Sequence, residues 1–231
     1  MVARFMKDTP YERSEAEMQR PPGYRNRGSG MIVSRYPYSA RDLDCAYCLY
    51  KSRKKTCGKA GGCIFLAERL AAGCVPTEEL LEAFTAEVDE LGFSCRLSHL
   101  MDEEDDFFFE PEHRERFENR WADCAPRTDA PAMCAALYLL AADRFLWRQA
   151  AVAIRTEAIR FCDIHIHGVD LDGYILFYTA KDLYQGTKHI SLSELTDPEL
   201  VSDRTFRLAV GAFLIRRYGV EVLAGERRGG L

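Results

Sequence analysis

The chain has 231 residues, of which 47% are apolar and 29% are charged, and its formal net charge is −5. This composition is typical of a globular protein and excludes a fibrous or wholly disordered chain. The longest apolar run, residues 132–142, is too short for a membrane-spanning helix of about 20 residues, and the charged N-terminal segment lacks the apolar centre of a secretory signal. We therefore expect a cytoplasmic protein with one main domain and a smaller unit, and no membrane partner.

Positive charge is concentrated in residues 1–63, which we call the basic head. This segment contains thirteen Lys and Arg but six Asp and Glu, a formal charge of +7, so the other 168 residues carry −12. Residues 1–40 are rich in Pro and Gly without periodicity, which predicts a flexible basic arm. Tyrosines are interleaved with the cations, and such a surface can follow a phosphate backbone and stack on unpaired bases. The alternative is that the cations only keep a small cysteine-rich unit soluble.

Four of the nine cysteines fall within 19 residues, in the order Cys-x-x-Cys and then Cys-x-x-x-x-x-Cys. Four thiolates are the ligand set of a closed tetrahedral zinc site. Because so short a segment cannot bury a core, Zn²⁺ binding would supply roughly 10 kcal/mol of its folding free energy. We therefore predict a zinc-binding module over residues 41–75, with an iron–sulfur cluster and unligated or redox-active thiols as the alternatives. The predicted ligands are Cys45, Cys48, Cys57 and Cys63.

The other five cysteines are scattered, and we expect them to be reduced and to behave as small buried apolar side chains. They are Cys74, Cys95, Cys124, Cys134 and Cys162.

Basic residues lie inside the predicted metal loop, where they offset the negative charge of the thiolates. If the ion holds them in a fixed cluster, they are also the best candidates to contact phosphates. The predicted nucleic-acid-binding or partner-binding residues are these four and two arginines of the arm: Arg53, Lys54, Lys55, Lys59, Arg25 and Arg27.

After Cys63 the apolar residues recur mostly at helical spacing, which predicts a mainly α domain over residues 76–231, with an α+β fold as the alternative. One helix begins at Thr77 and ends by Gly92. A short strand is expected next, at residues 93–97. The other predicted helices cover residues 64–72, 111–121, 132–154, 172–185 and 203–218.

The last predicted helix is apolar on nearly all sides, which is typical of a central core helix. Residues 189–218 also have the outline of a helix-turn-helix motif. We favour the core position, because a helix that lies in a DNA groove needs one polar face, and this helix is apolar on nearly all sides. The arginines that the second interpretation would use are Arg204, Arg207, Arg216 and Arg217.

A run of five carboxylates at residues 102–106 directly precedes Phe107, Phe108 and Phe109. The run lacks the glycine and the ligand spacing of a calcium loop. We expect a solvated acidic loop that leads into a buried aromatic anchor. The alternative is an acidic surface that imitates the phosphates of a nucleic acid.

Residues 162–168 alternate like a strand that would place Asp163, His165 and His167 on one face and Cys162 in the core. Two histidines and an aspartate so placed are a possible ligand set for a hydrolytic metal ion. Phosphate-binding loops, dinucleotide-binding loops and nucleophile elbows are absent from the sequence. We therefore expect a protein that is not an enzyme, with a metal-dependent hydrolase as the alternative.

Two parts of the sequence resemble proteins of mobile genetic elements. Residues 44–50 with Cys57 and Cys63 are similar to small cysteine-rich proteins encoded on conjugative elements and phages of anaerobic gut bacteria. Segments between residues 137 and 219 resemble hypothetical proteins from the same kind of element. This resemblance implies an accessory protein of a mobile element.

Two binding functions follow from these patterns. The first is a zinc-stabilised, non-enzymatic accessory protein that binds nucleic acid or a nucleoprotein complex through the basic head. The second is an anti-CRISPR-like inhibitor of a host defence complex that acts by protein–protein binding.

Overall fold

The structure is a computed structural model. It describes residues 66–88, 90–100, 107–126 and 128–223, together with a few positions before them, namely 9–10, 12, 25–26, 32–33 and 63. The described part of the chain is mainly helical, as the sequence predicts.

The described elements are a two-residue antiparallel strand pair and nine α-helices. The strands are β1 (Arg25–Asn26) and β2 (Ile32–Val33), with Arg25 opposite Val33. The helices are α1 (Leu66–Ala71), α2 (Thr77–Thr85), α3 (Leu91–Leu100), α4 (Pro111–Ala122), α5 (Ala130–Ala142), α6 (Arg144–Ala150), α7 (Leu171–Gln185), α8 (Leu192–Thr196) and α9 (Asp203–Tyr218). A short 3₁₀ helix, Phe161–Asp163, lies between α6 and α7.

Helix α5 is the centre of the fold. It carries no charged side chain, and eleven of its thirteen residues are buried. A helix that is apolar on all sides must be covered on all sides. Helices α7 and α9 make the most extensive contacts with it, and α4 and α6 cover it further.

The sequence predicts one helix over residues 132–154, and this prediction is wrong at Asp143. There the backbone is extended, with φ −105° and ψ 132°, and the Asp143 carboxylate accepts a hydrogen bond of 2.6 Å from the backbone N–H of Leu146. Aspartate is a good N-cap because its oxygen satisfies an N–H group that the first turn leaves unpaired. Asp143 therefore ends α5 and starts α6.

Arginines from neighbouring helices satisfy the carbonyl groups at the buried end of α5. The Nε of Arg116 in α4 donates to the carbonyl oxygen of Ala141 at 2.7 Å, and Arg204 in α9 donates to that of Ala142 at 3.5 Å. The last carbonyls of a helix have no partner within the helix, and leaving one buried without a donor is costly. These contacts tie α4 and α9 to the end of the central helix.

The aromatic anchor that follows the acidic run is buried, as predicted. Phe107 and Phe108 are both less than 9% exposed. The hydroxyl of Tyr138 in α5 donates to the carbonyl oxygen of Phe107, and the Phe108 ring packs edge-on against the Tyr138 ring. The acidic residues 102–106 themselves lie outside the described part of the chain, so their role stays a prediction.

Residues 93–97 form part of helix α3 and not a strand. Phe93 and Leu97, which are four residues apart, are both buried in a second apolar cluster with Leu195 and Phe206. A short apolar run is ambiguous between strand and helix, and here the four-residue spacing decides, because it places both side chains on one helical face. The preceding helix α2 accordingly ends at Thr85, before the predicted Gly92.

Arg96 joins α3 to the last two helices. Its guanidinium donates to the carbonyl oxygens of Leu195 at 3.0 Å and Val201 at 2.6 Å, and it lies 4.6 Å from the centre of the Phe206 ring. This one side chain therefore fixes α8 and the start of α9 on α3.

Helix α9 lies in the core, as the sequence predicts, and not on the surface of a helix-turn-helix motif. Nine of its sixteen residues are buried, including Phe206 and Leu208. Gly219 follows it with φ 99°, a conformation that favours glycine.

Helix α1 contributes Leu70 to the same main core, although it lies within the predicted zinc module. The boundary at residue 75 stays a prediction.

Within the described part of the chain, none of the helices has the length and apolarity to cross a membrane.

We predict that Arg116→Met destabilises the protein by about 1–3 kcal/mol, because it leaves the carbonyl oxygen of Ala141 without its donor while keeping a side chain of similar length. The free energy of unfolding in urea measures the effect. Arg148→Met is the matched control, since Arg148 is exposed on α6, and it should change stability by no more than about 0.5 kcal/mol. Equal effects of the two substitutions would contradict the capping role.

Candidate functional site

Only the last predicted zinc ligand belongs to the described part of the chain. Cys45, Cys48 and Cys57 lie outside the described residues. The Cys63 side chain is a free, half-buried thiol. The backbone carbonyl oxygen of Cys63 accepts a hydrogen bond of 3.1 Å from the backbone N–H of Leu66, the first residue of α1. Among the described residues, no group of three or more His, Cys, Asp or Glu has the arrangement of a metal site. The predicted zinc site would therefore adjoin the start of the helical body.

The predicted basic contact residues also fall mostly outside the described residues. Arg25 is the exception, since its backbone belongs to β1 and pairs with Val33 of β2. The others are Arg27, Arg53, Lys54, Lys55 and Lys59.

Arginines of the helical body are engaged by its own carboxylates. Arg204 lies 2.8 Å from Glu110, Arg216 lies 3.0 Å from Asp129, and Arg217 forms a two-pronged contact with Glu87 at 2.8 and 3.0 Å. These three arginines are among the four that a helix-turn-helix interpretation would use. Their charge is compensated within the fold.

The segment with two histidines is not a strand. Phe161–Asp163 is a turn of 3₁₀ helix, so the predicted strand is wrong, although Asp163, His165 and His167 are all exposed as the alternation implies. The Nδ1 of His165 donates to the carbonyl oxygen of Asp163 at 3.2 Å, and the Asp163 carboxylate pairs with Arg160 at 3.0 Å. These groups meet as neighbours in one loop, and the described residues supply no further metal ligand to them.

The five scattered cysteines differ in burial, and Cys74 and Cys124 are half-buried. Cys134 is buried in α5, as predicted, and burial raises the pKa of its thiol far above the ordinary value, so the thiol stays protonated. Cys95 and Cys162 are exposed, so the expectation that they are buried is wrong. Cys162 instead donates from Sγ to Asp163 Oδ1 at 3.3 Å.

The structure reveals an exposed aromatic surface on α7, which we call the α7 stripe and define as Leu171, Tyr174, Tyr178 and Lys181. The spacing of three, four and three residues places these side chains on one face of the helix. Leu171 is 51% exposed and Tyr174 is 42% exposed. The Tyr174 and Tyr178 rings lie 4.5 Å apart, and the Lys181 Nζ lies 5.7 Å from the centre of the Tyr178 ring.

Two neighbouring groups extend the α7 stripe. Phe145 of α6 is 42% exposed and lies beside Gly168, three residues before α7. At the other end, the His189 ring lies 4.7 Å from the Tyr178 ring. The stripe is thus the middle of a longer apolar and aromatic surface.

Asp182 holds the loop that follows α7 in place. Its carboxylate accepts hydrogen bonds from the Thr187 hydroxyl at 2.6 Å, the His189 N–H at 2.7 Å, the His189 Nδ1 at 2.6 Å and the Ile190 N–H at 3.1 Å. Burial by itself would raise the pKa of Asp182, but these hydrogen bonds outweigh burial and hold the pKa below its ordinary value. The loop positions His189 against Tyr178.

The sequence contained a signal for this surface. The inward residues that the helical pattern predicts are Leu176, Ala180, Leu183 and Tyr184. The first two are buried and the other two are half-buried against the core. Tyr174 and Tyr178 lie outside that inward set, on the face where a surface helix normally carries charge. Aromatic residues on the outward face were the available signal.

Comparison with known proteins finds no match: no family model, no curated protein and no solved structure is similar to this chain. The fold and its surfaces define a mainly α protein with an exposed aromatic stripe, preceded by a basic cysteine-containing segment. Its function has to be argued from these residues.

We predict that Asp182→Asn opens the loop after α7, because an amide cannot accept hydrogen bonds from all four donors. Hydrogen exchange of the His189 and Ile190 amides should accelerate about tenfold in the variant at neutral pH. Since the folded-state pKa of Asp182 is lowered, its stabilising effect is present above the ordinary pKa of aspartate and is lost as the pH falls through the lowered value. In the native protein the same amides should therefore lose protection in acid.

Asp163→Asn is the matched control, because Asp163 is an exposed aspartate in another loop. It should leave exchange at His189 and Ile190 unchanged at every pH. Unaltered exchange in Asp182→Asn would show that the carboxylate does not hold the loop.

Proposed function

We propose that this protein is a non-enzymatic accessory protein of a mobile element that binds nucleic acid or a nucleoprotein complex. In this proposal the basic head is the binding element, and Cys45, Cys48, Cys57 and Cys63 fold part of it around Zn²⁺. The observation that carries the proposal is the separation of charge, +7 in residues 1–63 against −12 in the rest of the chain. A polyanion is attracted to the first part and repelled by the second.

The helical body supports this assignment by what it does with its own cations. Arg204, Arg216 and Arg217 pair with carboxylates, and Arg96 and Arg116 donate to backbone carbonyls. A guanidinium that already has an anionic or carbonyl partner gains less from a phosphate, because the existing contact must first be broken. Affinity for a phosphate backbone is therefore expected to come from the head.

The position of Cys63 would attach the head directly to the helical body. Its carbonyl oxygen is hydrogen-bonded to the first residue of α1, and Leu70 of the same helix is buried in the main core. A metal ion bound by Cys63 would be joined to the helical body with almost no intervening chain. Cations held close to such an ion lose little conformational freedom on binding, which favours affinity.

The predicted contacts have a defined chemistry. Arg53, Lys54, Lys55 and Lys59 would neutralise phosphates and release counterions, which makes affinity fall with salt concentration. The tyrosines of the head would stack on unpaired bases, a contact that is tolerant of sequence. The proposal therefore favours single-stranded or partly unpaired nucleic acid.

We predict that the purified protein contains about one zinc ion per chain, as elemental analysis can measure. Cys48→Ser should lose the metal, because three thiolates no longer close the tetrahedral site. The helical circular dichroism should remain, since the core is built around α5, α7 and α9. Metal-free native protein, prepared without chelator or acid, would contradict the zinc site.

Cys95→Ser is the matched control for this measurement, because Cys95 is an exposed thiol on α3 outside the predicted ligand set. It should keep the full zinc content. Loss of the helical signal in Cys48→Ser would show that head and body fold as one cooperative unit.

We predict that the combined variant Arg53→Glu, Lys54→Glu and Lys55→Glu loses association with single-stranded nucleic acid while its zinc stays bound. For each phosphate contact removed, the slope of log affinity against log salt should fall by about 0.7–0.9. Fluorescence anisotropy with a labelled oligonucleotide at several salt concentrations measures both quantities.

The matched control reverses the charge of three exposed arginines of the body, so it changes the net charge by the same amount as the variant in the head. Its substitutions are Arg144→Glu, Arg148→Glu and Arg155→Glu. This control should retain most of the affinity. Native protein that holds zinc but does not bind nucleic acid would overturn the proposal and favour the inhibitor that acts by protein–protein binding.

A further inference from the structure

The α7 stripe is an unusual use of helix surface. The inward face of α7 packs on α5 through Leu176 and Ala180, while the outward face exposes Leu171 and Tyr174 and leaves Tyr178 half-buried. Tyrosine in such a position is typical of an interface, because it offers a large contact area and loses little side-chain entropy on binding. The Tyr178 ring is in contact with two other rings, those of Tyr174 and His189, which restrain its position.

The charges along the stripe are ordered from one end to the other. Asp170 and Asp172 lie at the N-terminal end of α7, where Asp170 is exposed and caps the helix by accepting from the Gly173 N–H at 2.8 Å. The Asp172 carboxylate accepts from the Ser202 hydroxyl at 2.8 Å and is therefore engaged just before α9. Lys181 lies near the C-terminal end, with Lys188 in the loop beyond it. The Asp182 carboxylate near the same end is already taken up by its four hydrogen bonds within the loop.

We propose that the α7 stripe is a self-association surface, at which two copies of this chain pair with their α7 helices antiparallel. A twofold axis beside position 176 places Tyr174 of each copy against Tyr178 of the other. The same axis brings Lys181 of each copy beside Leu171 and next to Asp170 of the other. The pattern of the α7 stripe is thus complementary to itself, which is the requirement for a twofold interface.

The charge of the protein favours a second copy over a nucleic acid at this surface. The chain after residue 63 carries −12, so both a polyanion and another acidic body are repelled by most of it. In the antiparallel arrangement Asp170 of one copy meets Lys181 of the other, and this local attraction opposes the general repulsion. A nucleic acid could contact Lys181 and Lys188 but would be repelled by Asp170 and by the rest of the acidic body.

The surroundings of the stripe provide the additional area that a dimer needs. A stable interface covers about 800 Å² on each partner, more than four side chains supply. Phe145 extends the apolar surface at one end, and the loop at residues 186–190 borders it at the other. The tyrosines would form the dry centre, and the charged residues would form the polar rim.

Sedimentation velocity of the full-length protein over a dilution series tests the proposal. The native chain should dimerise reversibly. Tyr174→Glu should raise the dissociation constant about 30-fold or more, because each copy loses a central ring and gains a buried charge, so the loss counts twice. Lys181→Glu should weaken the dimer at low salt, and the difference from the native chain should disappear at high salt.

Leu91→Glu is the matched control, since Leu91 is 80% exposed on α3 and lies outside the stripe. It should leave the dissociation constant unchanged. Circular dichroism checks that each variant is folded, and Tyr174→Ala replaces Tyr174→Glu if the latter has lost its helical signal.

Three results would overturn the proposal: a native chain that stays monomeric at every concentration, a dimer that persists in both Tyr174 variants, or an equal loss in Leu91→Glu. A dimer that dissociates when Cys48→Ser removes the zinc, but is indifferent to Tyr174, would place self-association in the basic head.

Discussion

Burying α5, a helix without charged side chains, creates the constraint on which the rest of this structure depends. The cost lies at the C-terminal end of α5, where carbonyl groups have no partner within the helix. Arg116 from α4 and Arg204 from α9 supply the donors there, and Asp143 turns the chain so that α6 can start at once. Since each donor belongs to a different helix, satisfying one end of α5 also fixes how its neighbours are placed. The packing of the core and the polar contacts at its edge therefore specify the same arrangement.

This use of arginine also affects where positive charge is exposed on the protein. Side chains that would otherwise make the surface basic, such as Arg96 and Arg116, point their guanidinium groups at carbonyl oxygens inside the fold. The carboxylates are left to dominate the exterior of the body, while the first 63 residues keep an excess of cations. An acidic body of this kind discourages non-specific binding along its own surface. In the proposed function, binding of a polyanion would therefore be restricted to the head, where four cysteines would organise it around Zn²⁺.

The sequence predicts those parts of the fold in which apolar periodicity is long and unbroken. Helices α7 and α9 were predicted to within one residue at each end, because Gly186 and Gly219 mark where they stop. The prediction was wrong where a single polar contact decides. The break at Asp143 depends on a carboxylate that caps the next helix, and α3 depends on distant residues such as Phe206 that complete its apolar cluster. The strand expected around His165 is wrong for a different reason. Alternation of exposed and buried side chains also occurs in a loop folded over a core.

Periodicity gives a signal for the candidate surface on α7, since Tyr174 and Tyr178 fall outside the inward set, but it does not settle how far each tyrosine is exposed. What decides their position is the packing of the opposite face: Ala180, which is fully buried, lets α7 approach α5 closely and so fixes the rotation of the helix about its own axis. Once that rotation is fixed, Tyr174 faces solvent and Tyr178 lies half-buried beside it. The hydrogen bonds to Asp182 then bring His189 over Tyr178, so that the ring is held on two sides. An aromatic surface held in this way is already in the conformation that a partner would need, which lowers the entropic cost of binding to it.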